Sequence, residues 1–163
     1  MEKEFIKLLN DHIGIINKIC NVYFYKNPLK EDYQQEIIIR LWKAFPDFRN
    51  ESEFSTWMYR VALNTAIDIK RKFHTRLQYT ELTREEYKLT DNKEAQKSDQ
   101  KEKMYGAINR LNDGEKAIIL LYLEGFSYNE IAGIIGISES NTGVKINRIK
   151  KHLIKLIIHD KEK

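Results

Sequence analysis

The residues best suited to chemistry lie in "FSYNEIAGIIGISESNTGVKINRIKKHL", Phe126 to Leu153. After Ser138 the chain places Ser140, Asn141, Lys145, Asn147, Arg148 and Lys151 within about three helical turns. Asn and Arg present paired groups that match base edges, while Lys and Ser suit phosphate oxygens. That is nucleic-acid chemistry without bond making. The same residues would also suit the solvated basic face of a plain two-helix hairpin. No enzymatic constellation competes. His12, His74, His152 and His159 are scattered, with no paired carboxylates or metal-ligand spacing around them, and no glycine-rich phosphate loop is present. No catalytic residue, metal or cofactor is expected.

For a basic helix to enter a groove, the segment before it must hold it at an angle. Ser127 and Glu130 have the spacing of a capping box and predict a short helix from Tyr128 to Ile135. Ile131, Ala132 and Ile135 are expected to face inward, with Ala132 small where two helices approach. Gly136 falls where a tight turn requires positive φ. Ile137 fills the space between the helices, and Ser138 caps the next one. This is the pattern of a helix-turn-helix, whose second helix fits a major groove.

The rest of the chain reads as helical too. Seven Gly and two Pro in 163 residues leave few turn signals for a β-rich fold. Phe5, Leu8, Leu9, His12, Ile13, Ile16, Ile19, Cys20 and Tyr23 form one stripe at three-and-four spacing. A second helix is expected from Glu31 to Phe45, with Tyr33, Ile37, Leu41 and Phe45 inward. Ile38, Ile39 and Trp42 widen its apolar face, so it is either central or touches a partner. Pro46 ends it. A third carries Phe54, Trp57, Met58, Val61, Ala62, Thr65, Ala66 and Ile69 on its buried stripe, with Ser52 as the expected cap. Arg60, Asn64, Asp68 and Arg71 share the opposite side, as a solvated face would also have them. From His74 to Lys103 the apolar pattern fails, and the polar, charged "TREEYKLTDNKEAQKSDQKEK" reads as a linker with at most transient helix. Helical spacing returns at Met104, "LNDG" makes a turn, and Gly125 closes the helix that follows.

Composition agrees. The net charge is +4 and charged residues make up 32%, compatible with a nucleic-acid partner. The single cysteine excludes an internal disulfide and reads as a buried apolar residue. No apolar run approaches the roughly 20 residues that cross a bilayer, and the N-terminus lacks the features of a signal peptide. A cytoplasmic protein without membrane insertion is expected. The fold class is all-α, two small helical domains joined by a flexible linker, with boundaries at 1–74, 75–103 and 104–163.

Together these blocks resemble the extracytoplasmic-function (ECF) branch of the sigma-70 family of bacterial RNA polymerase sigma factors. "LNDGEKAIILLYLEGFSYNEIAGIIGIS" looks like region 4, the −35-reading helix-turn-helix. "DYQQEIIIRLWKAFPDFR" and "FSTWMYRVALNTAIDIKRK" look like the polymerase-binding and −10-reading parts of region 2. The resemblance covers nearly the whole chain except the linker. It implies a factor that binds core polymerase through its β′ and β subunits and directs it to promoter DNA, with an anti-sigma factor as a further kind of partner.

It also implies residue roles. Asp32, Gln35 and Glu36, with Ile39 and Trp42 nearby, match the surface that docks on a coiled coil of β′. Phe48, Arg49, Asn50 and Asn64 match the pocket for an unstacked −10 base, and Tyr59 and Arg60 lie on the same helix. Ser138, Asn141, Thr142, Lys145, Asn147, Arg148 and Lys151 match the −35 surface. One departure stands out. Where the family usually has a branched apolar residue followed by a basic one, this chain has Thr142 and Gly143. Gly143 costs about 1 kcal/mol of helix propensity against alanine. Val144 and Ile146 leave two readings open, a contact with a thymine methyl or inward packing. The rival function is a stand-alone helix-turn-helix regulator with a ligand or dimerisation domain at its N-terminus.

Overall fold

The computed structural model describes residues 1–79 and 99–162. The chain divides into two compact units, Met1–Glu94 and Ala95–Lys163, each with its own apolar core. Every regular element among the described residues is a helix, in line with the all-α expectation.

The first unit contains α1 (Glu2–Asp11), α2 (Ile13–Tyr23), α3 (Lys30–Ala44) and α4 (Phe54–Tyr79). Helices α2, α3 and α4 pack pairwise on one another. Their core is Ile16, Ile19 and Cys20 from α2, Ile37 and Leu41 from α3, and Met58, Ala62, Leu63 and Ala66 from α4, all 0–2% exposed. Burial pushes the Cys20 thiol up from 9.0 to about 11, with Lys30 acting in the opposite sense. It is the buried apolar residue the sequence suggests.

The expected single N-terminal stripe is broken at His12. The His12 Nδ1 donates to the Leu8 carbonyl at 2.9 Å. The backbone N–H of His12 turns instead to the Leu9 carbonyl at 3.2 Å. A side chain that competes for the carbonyl four residues back can end a helix locally, and apolar spacing carries no sign of it.

Helix α3 ends in a 3-10 turn, Phe45–Asp47, that contains Pro46. Proline lacks the N–H that would continue the ladder. Helix α4 starts one residue later than a Ser52 cap would place it. Its first closing bond runs from the Trp57 N–H to the Glu53 carbonyl at 3.1 Å, so Glu53 holds the cap position. At its far end α4 continues to Tyr79, and α5 begins at Asp99. The expected linker is therefore helical at both margins. Lys and Arg propagate a nucleated helix at little cost. Asp99 and Glu102 in the first turn of α5 suit the positive end of its dipole. The remainder of the expected linker, 80–98, lies outside the described residues.

The second unit contains α5 (Asp99–Asn109), α6 (Asp113–Leu123), α7 (Tyr128–Ile135) and α8 (Glu139–Lys161). Helix α8 packs on the other three. Caps set the helix starts. Asn112 Oδ1 accepts from the Glu115 N–H at 2.9 Å, and the Glu115 carboxylate accepts from the Asn112 N–H at 3.2 Å. The "LNDG" turn is thus half of a second capping box. Ser127 and Glu130 form the expected one, at 3.2 and 2.7 Å. Gly125 and Gly136 adopt φ of +88° and +83°, a conformation in which a side chain would clash. Within α7, Ile131, Ala132 and Ile134 are buried, while Ile135, expected inward, is only half-buried.

Candidate polymerase and promoter interfaces

On α3, the side opposite Ile37 and Leu41 exposes Asp32, Gln35, Glu36 and Ile39. Ile39 is 52% exposed and Trp42 37%. Trp42 also packs its ring 5.1 Å from that of Phe5, so its inner face is structural and its outer face is free for a partner. Glu31 and Asp32 lie in the first turn of α3, where the helix dipole favours carboxylates. The structure brings all four expected residues to one exposed surface. Acceptors beside an apolar side chain suit a basic protein partner.

The loop between α3 and α4 is held by aromatic packing. The Phe48 ring lies 5.1 Å from Trp57, 5.7 Å from Phe54 and 6.3 Å from Phe45. Phe48 is half-buried, so it anchors the loop while part of its surface stays open to solvent. Arg49 and Asn50 are exposed. Asn50 has φ +57°, a turn conformation that asparagine tolerates better than most residues. Arg60 and Asn64 are exposed one turn apart on α4. Further along, Asp68 and Arg71 pair with each other at 2.5 Å, which neutralises that end of the row. Tyr59 is a correction. It is 3% exposed and sits on the inner side of α4 with Met58 and Leu63. Its ring belongs to the core of the first unit.

The turn before α8 has the expected construction. The N–H groups of Gly136 and Ile137 both reach the Ala132 carbonyl, at 2.8 and 3.1 Å. Ser138 Oγ accepts from the Asn141 N–H at 3.2 Å. Thr142 is the second correction. It is fully buried, and its hydroxyl donates to the Ser138 carbonyl at 2.9 Å. It forms the inner face of α8 with Ile146 and Ile149, both buried. Asn141, Lys145, Asn147, Arg148 and Lys151 stay exposed. Lys145 and Arg148 share the wall of a groove of about 240 Å³ with Gly114 and Glu115 of the first turn of α6.

Two residues of α8 have partners that no spacing rule predicts. Lys150 is half-buried. Its Nζ donates to the Tyr122 hydroxyl at 2.6 Å and stands 4.2 Å over the same ring. That hydrogen bond holds the ammonium above its ordinary pKa. Gly143 packs against α7, where an added Cβ would meet the Tyr128 ring at 3.4 Å. A methyl there would make ordinary contact with that ring, so packing against α7 does not by itself require the glycine.

Two separately cored helical units, one ending in a capped helix-turn-helix with a cationic outer face, define a two-domain nucleic-acid-reading protein. The Sigma-70 region 2 family model matches residues 8–76. The Sigma-70, region 4 model matches residues 101–153. The chain is 29% identical over 147 residues to the ECF RNA polymerase sigma factor SigX of Bacillus subtilis, covering 81% of this chain and 75% of that one. It is 28% identical over 146 residues to the ECF RNA polymerase sigma-E factor of Haemophilus influenzae, covering 82% and 77%. In fold it resembles the sigma factor RpoE of Bartonella quintana, solved in complex with the anti-sigma factor NepR. The TM-score is 0.76 at 20% identity, over 95% of this chain and 97% of that one. The chain belongs to the sigma-70 family, in its ECF group. It is an RNA polymerase sigma factor, which binds core polymerase and directs it to promoter DNA. Among the described residues, no helix is long and apolar enough to cross a membrane.

Proposed function

We propose a division of this activity among the three surfaces. Residues 1–74 act as region 2 and 104–163 as region 4. Asp32, Gln35, Glu36 and Ile39 on α3 dock on the β′ subunit. Phe48, Arg49, Asn50, Arg60 and Asn64 hold an unstacked base of the −10 element. Phe48 offers a ring face for stacking and Asn64 an amide for a base edge. Ser138, Asn141, Lys145, Asn147, Arg148 and Lys151 engage the −35 element. Polymerase supplies the chemistry and this chain supplies promoter choice, in the cytoplasm and with no catalytic group of its own. An anti-sigma factor is a fitting regulator, since the solved RpoE relative is bound by one.

The observation that carries this reading is the split of α8. Thr142, Ile146 and Ile149 are buried along one side of a capped helix, and its amides and cations are exposed along the other. The test is run-off transcription with core polymerase on a promoter library, paired with a core-binding assay without DNA. Glu36→Lys is expected to weaken core binding by a few kcal/mol with the fold intact. Asn64→Ala is expected to impair open-complex formation without loss of core binding. A chain that binds promoters alone but not core polymerase would restore the stand-alone regulator.

A further inference from the structure

The outer face of α8 carries one apolar residue in its DNA-facing half. Val144 is 50% exposed, whereas Thr142, Ile146 and Ile149 are all buried. One turn either side stand Ser140, Asn147 and Arg148, all exposed. Half of the Val144 surface is open to solvent, where alanine or a charged residue would be the better helix former.

The geometry points to Val144 as the reader of a thymine methyl group in the −35 element. The inference rests on α8 being the −35-reading helix. Apolar contact with the C5 methyl is how an aliphatic side chain distinguishes thymine in the major groove. Valine is short, so it reaches a base only if its neighbours let the helix backbone come close. They do. The preceding residue, Gly143, has no side chain, and a Cβ there would lie in ordinary contact with the Tyr128 ring of α7, 3.4 Å away. Ser140 lies four residues before and Asn147 three residues after, and neither is long. Lys145 beside it and Arg148 one turn on are longer but flexible, and both can bend to phosphates without lifting Val144 from the base. Because glycine stands where the family usually carries a basic residue, no long side chain flanks Val144 on that side. Specificity at this position comes from one methyl group rather than from a hydrogen bond.

The experiment uses holoenzyme with the full chain and duplex promoters. A randomised −35 region is first selected with the wild-type protein. Each thymidine of the selected element is then replaced by deoxyuridine, which removes only the methyl. For the wild type, one such replacement is expected to weaken binding about fourfold, the worth of one buried methyl group. For Val144→Ala the same replacement should have almost no effect, because the partner of the methyl is gone. Val144 is exposed, so the variant keeps its fold, and far-ultraviolet circular dichroism checks that. Equal deoxyuridine penalties in both proteins would overturn the assignment. So would a selected element with no methyl-sensitive position. If wild-type binding ignores the −35 sequence altogether, the underlying reading of α8 fails as well. If Arg148→Ala changes the preferred sequence while no position responds to methyl removal, only the Val144 assignment fails.

Discussion

The −10 loop and the −35 helix do related work but are positioned by opposite means. The loop after α3 takes its shape from distant side chains. Phe5 of α1, Phe45 and Phe48 of the turn, and Phe54 and Trp57 of α4 bring rings within 5.1–6.3 Å of one another. Such pairs add to the burial of large apolar surface. The helix-turn-helix instead takes its shape from bonds between residues three to five apart. Ser127, Glu130, Gly136 and Ser138 satisfy the ends of α7 and α8 with their own backbone and hydroxyl groups. A site built by packing should fail with loss of volume. A site built by caps should fail with loss of a hydrogen bond or of a glycine.

Four substitutions probe that contrast. The largest effect is expected for Phe45→Ala, which empties the centre of the aromatic cluster and should destabilise the first unit by about 3–5 kcal/mol. Both tryptophans of the chain, Trp42 and Trp57, lie in this unit. Denaturant unfolding followed by tryptophan fluorescence therefore reports it selectively, and an unchanged midpoint would mean that the cluster is not what holds the loop. Gly136→Ala comes next. A Cβ at φ +83° should cost about 1–2 kcal/mol, read in amide exchange of α7 and α8 with the tryptophan signal unmoved. Ser138→Ala removes one cap and should cost about 1 kcal/mol, most visibly as faster exchange of the Asn141 amide. A cost as large as that of Phe45→Ala would erase the distinction between the two sites.

The smallest effect concerns a long-range polar contact of α8, between Lys150 and Tyr122. Tyr122→Phe removes the hydroxyl that bonds Lys150. Because the folded-state pKa of Lys150 is raised, the contact contributes below the ordinary lysine value of 10.5 and is lost as pH rises through the folded value. The small stability loss of the variant should therefore be present at neutral pH and fade as pH rises above the folded value. The Lys150 ammonium, followed by NMR, should titrate at a lower pH than in the wild type. No change in that titration would remove the tyrosine from any role in holding Lys150.

The same contrast governs what could be read in advance. The helix-turn-helix was legible because its signals are local. A serine three residues before a glutamate, a glycine at the turn and an alanine at the close approach each act within their own segment. Burial of Thr142 and Tyr59 was not legible. Resemblance placed both with DNA-contacting residues, but which side of a helix faces the core depends on the helices packed against it. The box at Asn112 was missed for a smaller reason, since asparagine is read first as a turn residue and only then as a cap.

The sequence alone determined the helical class, the division into two bodies, the turn at Gly136 and the exposed acceptors of α3, because period, caps and glycine φ act over a few residues. Only the tertiary structure decided that Phe48 is anchored by Trp57, that Lys150 turns to Tyr122, and that Gly143 lies beside Tyr128. Those pairs lie 9, 28 and 15 residues apart along the chain. Contacts between separate elements follow from how whole helices pack, and that is set by the summed volume and shape of a core rather than by any short pattern.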